Sequence, residues 1–462
     1  MSAQTDTIFA RASGGGKAGV AVFRLSGPDA FGIFSRLAGK SIAPRMAAYV
    51  SVRDPSDGAV IDRGLAILFK GPASFTGEDV CELHLHGARA VEIALYDALA
   101  RLGARPAEAG EFTLRALRNG KLDLAQAEAL ADLIDSETTL QRMQALGQLD
   151  GRLSEIAESW RKQILAIMAP LEADIDFPDE GDVPAAVAAR AGPAIKSLKE
   201  SLSTFLSQSV RARRIREGVS IAIIGPPNAG KSSLLNALAG SDVAIVSETA
   251  GTTRDIIETR LDLGGVVVTI ADTAGLRGES ADAIEIEGIR RARARAEAAD
   301  LRILVIDGSQ AVSRETILAG KSASVPRETL MLLKPGDIIV WNKADIAESA
   351  PVQDGEDPDA PFAELRLSAK TGEGMVKFVD TLTEKASDGA RADGPALTRA
   401  RHVAAVEEAL AALSRAENLI DEAPELAAED ARLAARALGK ITGAVGVEDV
   451  LGEIFSSFCI GK

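Results

Sequence analysis

Cysteine is nearly missing. Cys81 and Cys459 are the only two in 462 residues, too few and too far apart in sequence for a disulfide framework or a zinc site, and they fit a reducing cytoplasm. Aromatic residues make up only 4% of the chain, which leaves little for stacking platforms under single-stranded bases. A basic excess is missing as well. The formal net charge is -15, so broad nonspecific binding to nucleic-acid phosphates is excluded and any RNA contact must be local. No stretch approaches the ~18 apolar residues of a membrane span, and the opening MSAQTDTIFARASGGGKAG lacks the apolar core of a cleavable signal. The expectation is a cytoplasmic protein with no membrane span.

What is present is ordinary globular material, 46% hydrophobic and 26% charged, in a chain long enough for about three domains. Residues 1–119 mix β-type runs at 19–25, 65–69 and 80–85 with Gly/Pro punctuation and a helical stretch at 90–102, so a small α/β domain is expected. Residues 120–215 turn helical, with apolar residues at three- and four-residue spacing and an acidic, proline-marked break, DFPDEGDVP. Helical periodicity returns over 385–462. Between them, 216–384 begins with a buried-type strand. The economical arrangement is α/β plus all-α, with one helical domain interrupted by an inserted P-loop domain of Ras-like type. Two separate helical domains are the alternative.

The inserted stretch carries the chemistry. VSIAIIG runs into GPPNAGKS (225–232) and then the helical LLNALAG. In that context backbone amides from Asn228, Ala229 and Gly230 through Ser233 cradle phosphates, Lys231 reaches the β- and γ-phosphates and Ser232 holds magnesium. Downstream, Ser247, Glu248, Thr249, Ala250, Gly251, Thr252 and Thr253 form a switch-like segment, with the Thr253 hydroxyl placed to join the magnesium shell. After the apolar VVVTIA comes DTAG: Asp272 would hold the magnesium shell and Gly275, beyond Thr273 and Ala274, would offer its N–H to the γ-phosphate. NKAD supplies base identity. Asp345 can accept both guanine N1–H and N2–H, Asn342 faces N7 and O6, and Lys343 packs over the ring. Ser368, Ala369 and Lys370 complete the set by presenting amides to O6. Guanine-nucleotide binding is the reading of this ordered series.

Hydrolysis needs a water-orienting group, and Leu276 after DTAG cannot serve. Asp282, Glu285 and Glu287 are the polar candidates in the following segment. Asn228, together with carbonyls of 247–252, could cage a monovalent cation such as potassium, which would offset transition-state charge in place of an arginine finger.

GTTRD, DTAGLR and NKAD are shared with the ribosome-assembly GTPases Era and Der, but this chain has one P-loop and no C-terminal GxxG module. Its flanks differ from theirs. DTIFARAS, FRLSGP, SFTGEDVCELHLHG (74–87), GEFTLRALRNGKLDLAQAEALADLID (110–135), DFPDE and the terminal FSSFCIGK (455–462) resemble the MnmE (TrmE) family of tRNA-modification GTPases over essentially the whole length. Pro226, Ala109 and Lys17 depart from its commoner Arg, Pro and Arg.

The resemblance implies that the N-terminal domain binds 5-formyl- or methylene-tetrahydrofolate through Arg24, Glu82 and Lys121, with Lys462 reaching in, and forms a homodimer. It assigns Glu285 as the water-orienting residue beside the catalytic Lys231, magnesium to Ser232 and Thr253, and a potassium cage to Asn228, Ser247, Thr249 and Thr252. It further implies a heterotetramer with the flavoprotein MnmG (GidA), which brings FAD and NADH, and installation of a carboxymethylaminomethyl-type group at C5 of the wobble uridine of certain tRNAs. GTP-driven pairing of G domains is the implied switch.

Cys459, four residues from the end, makes a poor prenylation box because Gly461 and Lys462 follow the required pattern badly. Within FCIGK it is a possible functional thiol. The arginines of RARRIREG (211–218), with Arg290, Arg291, Arg293 and Arg295, are read as solvated helix faces, with tRNA phosphates as the alternative. The competing functional class is a ribosome-assembly GTPase, which would need neither the folate-type region nor the terminal FCIGK.

Overall fold

A computed structural model describes residues 6–176, 186–245, 258–272, 290, 293–310, 325–347, 361–387, 394–446, 448–456 and 458–461. The chain separates into two compact units. The first contains residues 1–134, 147–203 and 404–462, and the second 135–146 and 204–403.

Period-two burial builds the sheet of the first unit. Its strands β1 (Ile8–Arg11), β2 (Ala18–Ser26), β3 (Ala48–Arg53), β4 (Val60–Phe69), β5 (Val80–Gly87) and β6 (Arg105–Pro106) lie in the order β3-β4-β5-β2-β1-β6. All neighbours are antiparallel except the short β1/β6 pair. Cys81, Leu83 and Leu85 of β5 join Phe23 and Leu25 of β2 on one face, where Ile33 and Phe34 of helix Ala30–Ala38 and Leu95 and Leu99 of helix Arg89–Arg101 cover them. Because successive side chains alternate, Arg24 and Glu82 necessarily face the other way. On that other face Ile8 and Ala10 pack with Ala107 and Phe112, the latter on helix Glu111–Arg118. β1, β3 and β6 were not among the β-type runs read from the sequence. β1 and β6 are too short to show a period, and β3 lies at the sheet edge with Tyr49 65% exposed.

A buried ion network ties helix Glu111–Arg118 to this sheet. Arg115, fully buried, pairs with Asp6, Glu78 and Glu111, and Arg105 pairs with Asp6 and Glu111. Burial pushes the Glu111 and Asp6 carboxyls up, but the two guanidinium groups outweigh it and hold both below the ordinary carboxylate range. The rest of the unit is helical. Helix Arg152–Asp176 packs on helix Pro424–Thr442, whose buried face is mostly alanine (Ala427, Ala431, Ala434). Lys199–Glu417 and Arg432–Glu172 are ion pairs between the stretches before and after the nucleotide motifs.

The second unit contains β7 (Val219–Ile224), β8 (Glu258–Leu263), β9 (Val266–Asp272), β10 (Leu301–Asp307), β11 (Ile338–Asn342) and β12 (Ala363–Arg366), ordered β12-β11-β10-β7-β9-β8. Neighbours are parallel except the β8–β9 hairpin. Central strands are covered on both faces, so they read as continuous apolar runs: every residue of IIVWN is buried. Leu234 and Leu238 of helix Lys231–Ala239 and Phe378 and Leu382 of helix Met375–Ser387 form one cover. Ala296, Ala299 and Val325 belong to the other, packed in one core with Trp341 of β11.

Candidate functional site

In an open parallel sheet, ligand sites form beyond the carboxyl ends of the strands. Here β7 runs into residues 225–232, β9 ends at Asp272, β10 at Asp307 and β11 at Asn342, and β12 leads into 367–370. The pairings Ile223↔Asp272 and Asp307↔Asn342 bring these ends to one edge.

The loop after β7 is built on backbone conformations that few side chains permit. Gly225 (φ 143°), Asn228 (φ 62°) and Gly230 (φ 93°) all have positive φ. A Cβ on Gly225 would lie 2.3 Å from Val305 O, and one on Gly230 would lie 2.2 Å from Asn342 Nδ2. Both glycines are therefore required. Gly230 opens helix Lys231–Ala239, which exposes Ser232 and Ser233 in its first turn, with Ala229 buried beneath. Lys231 Nζ donates to the carbonyls of Gly225 (2.9 Å) and Pro226 (2.8 Å), so the ammonium lies across the loop it belongs to.

Asn342 is the cross-brace. Buried at 3% exposure, its Nδ2 donates to Ala229 O (2.9 Å) and its Oδ1 accepts from Ala369 N (3.0 Å). One side chain thereby joins the phosphate loop to the SAK loop. A primary amide nitrogen carries two hydrogens, so the second N–H is the one free to meet an acceptor such as guanine N7, whereas Oδ1 is engaged in the brace. Asp345, exposed, accepts from Ser368 Oγ (2.7 Å), and Ser368 Oγ accepts from Thr371 N (3.2 Å). The carboxylate is held by a buried serine while one oxygen stays open. Lys343 (φ 66°) pairs through Nζ with Asp307 Oδ2 at 2.7 Å. Burial pushes the Asp307 carboxyl up, but Lys343 and Ser309 override it and hold it low. Asp307 was not singled out from the sequence. Its signal there is an aspartate ending an apolar strand, VIDGS.

Ser247 through Thr253, Thr273, Ala274, Gly275 and Glu285 lie outside the described residues, as do Asp282, Glu287 and Lys462. Asp272 is described as the last residue of β9. Of the arginines, Arg293 pairs with Glu297, and Arg213 and Arg216 pair with Glu217.

A second constellation occupies the first unit. Arg24 and Glu82 are directly opposed across β2 and β5, with Arg24 Nε and Nη2 both donating to Glu82 Oε1 (3.0 and 2.8 Å). The guanidinium stands 5.5 Å from the ring centre of Phe75 and 5.8 Å from that of Phe112. Glu82 Oε2 faces His84 Nε2 at 3.6 Å, a ring nitrogen shielded from water and without a hydrogen bond. Phe75 shares its loop with Gly77, which passes so close to Lys121 that a Cβ there would lie 3.3 Å from Lys121 Cγ. One loop therefore touches Arg24 and Lys121. The C-terminal residues lie against the stretch before helix Glu111–Arg118 and the end of β1: Ala109 bridges Ile460, Gly110 N donates to Cys459 O, and Gly461 (φ 98°) passes where a Cβ would meet Arg11 O at 2.0 Å. Cys459 is exposed, whereas Cys81 is fully buried and burial pushes its thiol far up. Among the described residues no cluster of His, Cys, Asp and Glu has metal-holding geometry, and no helix is long and apolar enough to cross a membrane.

Comparison with known proteins places the chain in one lineage. A family model described as GTP-binding protein TrmE N-terminus matches residues 7–121, and one described as MnmE helical domain matches residues 124–459. The protein of Parvibaculum lavamentivorans named tRNA modification GTPase MnmE is 50% identical over 99% of this chain and 100% of its own length. Proteins of that name from Caulobacter vibrioides and Paramagnetospirillum magneticum are 48% and 50% identical over the same shares of both chains. Among solved structures, the G domain of the T. maritima FeoB iron transporter aligns with 36% of this chain and 98% of its own, at 24% identity and a TM-score of 0.25, too low to bear on the fold. At half identity over its full length, and with both family models matched, this chain belongs to the MnmE family of tRNA-modification GTPases.

Proposed function

We propose that this chain is a potassium-activated GTPase that works with the flavoprotein MnmG to install a carboxymethylaminomethyl-type group at C5 of the wobble uridine of certain tRNAs. The observation that carries the guanine-nucleotide part is the Asn342 brace, which seats the phosphate loop and the SAK loop against one another with Asp345 held by Ser368. In this reading Lys231 and the loop amides neutralise phosphate charge, Ser232, Thr253 and Asp272 form the magnesium shell, and Asp345 selects guanine. Glu285 orients water. Asn228, Ser247, Thr249 and Thr252 hold potassium where an arginine finger would otherwise act. The assigned spans are 1–119 for a folate-binding and dimer-forming domain, 120–215 and 385–462 for a helical domain, and 216–384 for the G domain.

The Arg24–Glu82 constellation fits a folate. Glu82 keeps Oε2 outside its pair with Arg24, beside the orphaned His84 Nε2, so polar groups remain for a heterocyclic edge, while Arg24 and Lys121 suit carboxylates. A bound tetrahydrofolate would supply one carbon, and FAD and NADH would act through the partner. Arg24, Glu82, Lys121 and Lys462 bind and orient it. Family membership supports the homodimer, the MnmG heterotetramer and a cytoplasmic location as parts of the same reading.

Two measurements test it. GTP turnover is expected to rise in potassium over sodium at matched ionic strength, and equal rates would remove the cation from the mechanism. Nucleoside mass spectrometry of tRNA from cells lacking this gene is expected to show loss of wobble modification. Intact modification, with no functional duplicate present, would sink the proposal.

A further inference from the structure

Residues 135–146 belong by sequence to the helical stretch, and both flanks, up to 134 and from 147, fall in the first unit, yet the segment itself clusters with the nucleotide unit. Its contacts explain why. Thr138, 5% exposed, donates through Oγ1 to Gly265 O at 2.6 Å, and Glu137 pairs with Arg260 of β8. Leu140 packs on the core under β7, β8 and β9, and so closely on the hairpin turn that a Cβ on Gly265 (φ 88°) would lie 2.5 Å from Leu140 Cγ. Gln141 Nε2 donates to Arg216 O and Gln144 Nε2 to Ala212 O, each at 3.2 Å. Arg216 lies in the last turn of helix Ala186–Glu217, where its carbonyl has no intrahelical donor.

These are two strategic places. The β8–β9 hairpin is the stretch of chain between ETAGTTRD and DTAG, and β9 ends on Asp272. Helix Ala186–Glu217 ends directly before β7, which leads into the phosphate loop. The segment therefore holds the amino-terminal ends of β7 and β9, the end of the sheet opposite the nucleotide site, from outside the motif series. Helix Thr139–Leu149 starts within the grip and runs on past residue 146, so the chain passes from this segment to residues of the first unit within one helix.

We propose that residues 135–146 are the coupling element of this chain: Thr138, Leu140 and Gln141 position the hairpin between the two switch segments and pass its nucleotide-dependent movement along helix Thr139–Leu149. The inference rests on the GTPase reading above. A hydrogen-bonded and packed contact at the turn is what allows the two sites to bias one shared element, and such coupling is ordinarily worth about 5- to 150-fold.

The test uses the full-length protein with Thr138→Val combined with Leu140→Ala, and Thr138→Ser as the conservative control. Hydrogen exchange is compared between GDP and a non-hydrolysable GTP analogue, alongside potassium-stimulated GTP turnover and wobble modification in cells. The double variant is expected to keep turnover within about twofold and the nucleotide-dependent exchange difference at 258–272, but to lose that difference at 139–160, with modification falling roughly 10-fold. Thr138→Ser should behave as wild type. Retention of the 139–160 difference and of modification would overturn the inference, as would a parallel fall of turnover and melting temperature, the mark of a packing role alone. Gln141→Ala repeats the test if the double variant fails to fold. Wild-type protein without GTP turnover would defeat the GTPase reading, whereas turnover with no nucleotide-dependent exchange at 139–160 would defeat only the coupling.

Discussion

The two sheets of this molecule build their candidate ligand sites in opposite ways. The parallel sheet of the second unit builds at its strand ends, with glycine-dependent loops braced by one buried amide, Asn342. The largely antiparallel sheet of the first unit builds on its face, with Arg24 and Glu82 paired across strands that are far apart in sequence. The first kind of site depends on backbone conformation and the second on side-chain pairing. Their failures should therefore differ in kind as well as in size.

The largest effect is expected from Gly230→Val, which places a branched side chain at φ 93° against Asn342. A loss of at least about 4 kcal/mol, or roughly 10³-fold in Kd for GTP, is expected by fluorescent-nucleotide titration. A near-normal Kd would break the distinction by showing that the loop tolerates side chains. Next comes Asp345→Asn, which replaces a double acceptor by an amide able to donate to a C2 carbonyl. Preference should move from guanosine to xanthosine triphosphate by roughly 10²-fold, read from competitive binding.

Arg24→Ala probes the other kind of site. It leaves Glu82 without its ion pair and is expected to weaken tetrahydrofolate binding by about 2 kcal/mol, or ~30-fold, in calorimetry. Guanine-nucleotide affinity should stay at the wild-type value. A fall in both would mean that the two sites are energetically one.

The smallest effect expected is a pH dependence of stability confined to the first unit. Asp6 and Glu111 are held below the ordinary carboxylate range when folded, so their stabilisation is complete above the unfolded value of about 4 and is lost as pH falls through the lowered folded values. Thermal melting from about pH 7 to pH 3 should show this acid limb, and Glu111→Gln should flatten it. An unchanged slope would remove the carboxylate network as its cause.

These contrasts also explain what the sequence disclosed. GPPNAGKS, DTAG, NKAD and SAK are contiguous because a loop at a strand end must carry its own chemistry, so their order could be read directly. Asn342 was recognised as a base contact, but its role as brace depends on Ala229 and Ala369, which only the folded sheet brings within reach. Asp307 was missed because its partner Lys343 lies on the neighbouring strand end. Arg24 and Glu82 came from family resemblance alone, since no period or spacing links positions on β2 and β5 before their register is known. Strand β3 carries only a short alternation, Val50 and Val52 buried between the more exposed Tyr49, Ser51 and Arg53, and it was not among the runs read from the sequence. Residues 138, 141 and 144 reach residues 265, 216 and 212 through side-chain hydrogen bonds, which no local pattern encodes.

The unequal burial of the two thiols has a practical side. Cys81 sits in the packed face of the sheet with its thiol held protonated, and Cys459 stands exposed next to the helix that begins at Glu111. Thiolate reagents discriminate on both counts. The native chain thus comes with a single addressable attachment point, so a fluorophore or spin label can be placed beside the start of helix Glu111–Arg118 with no cysteine engineering.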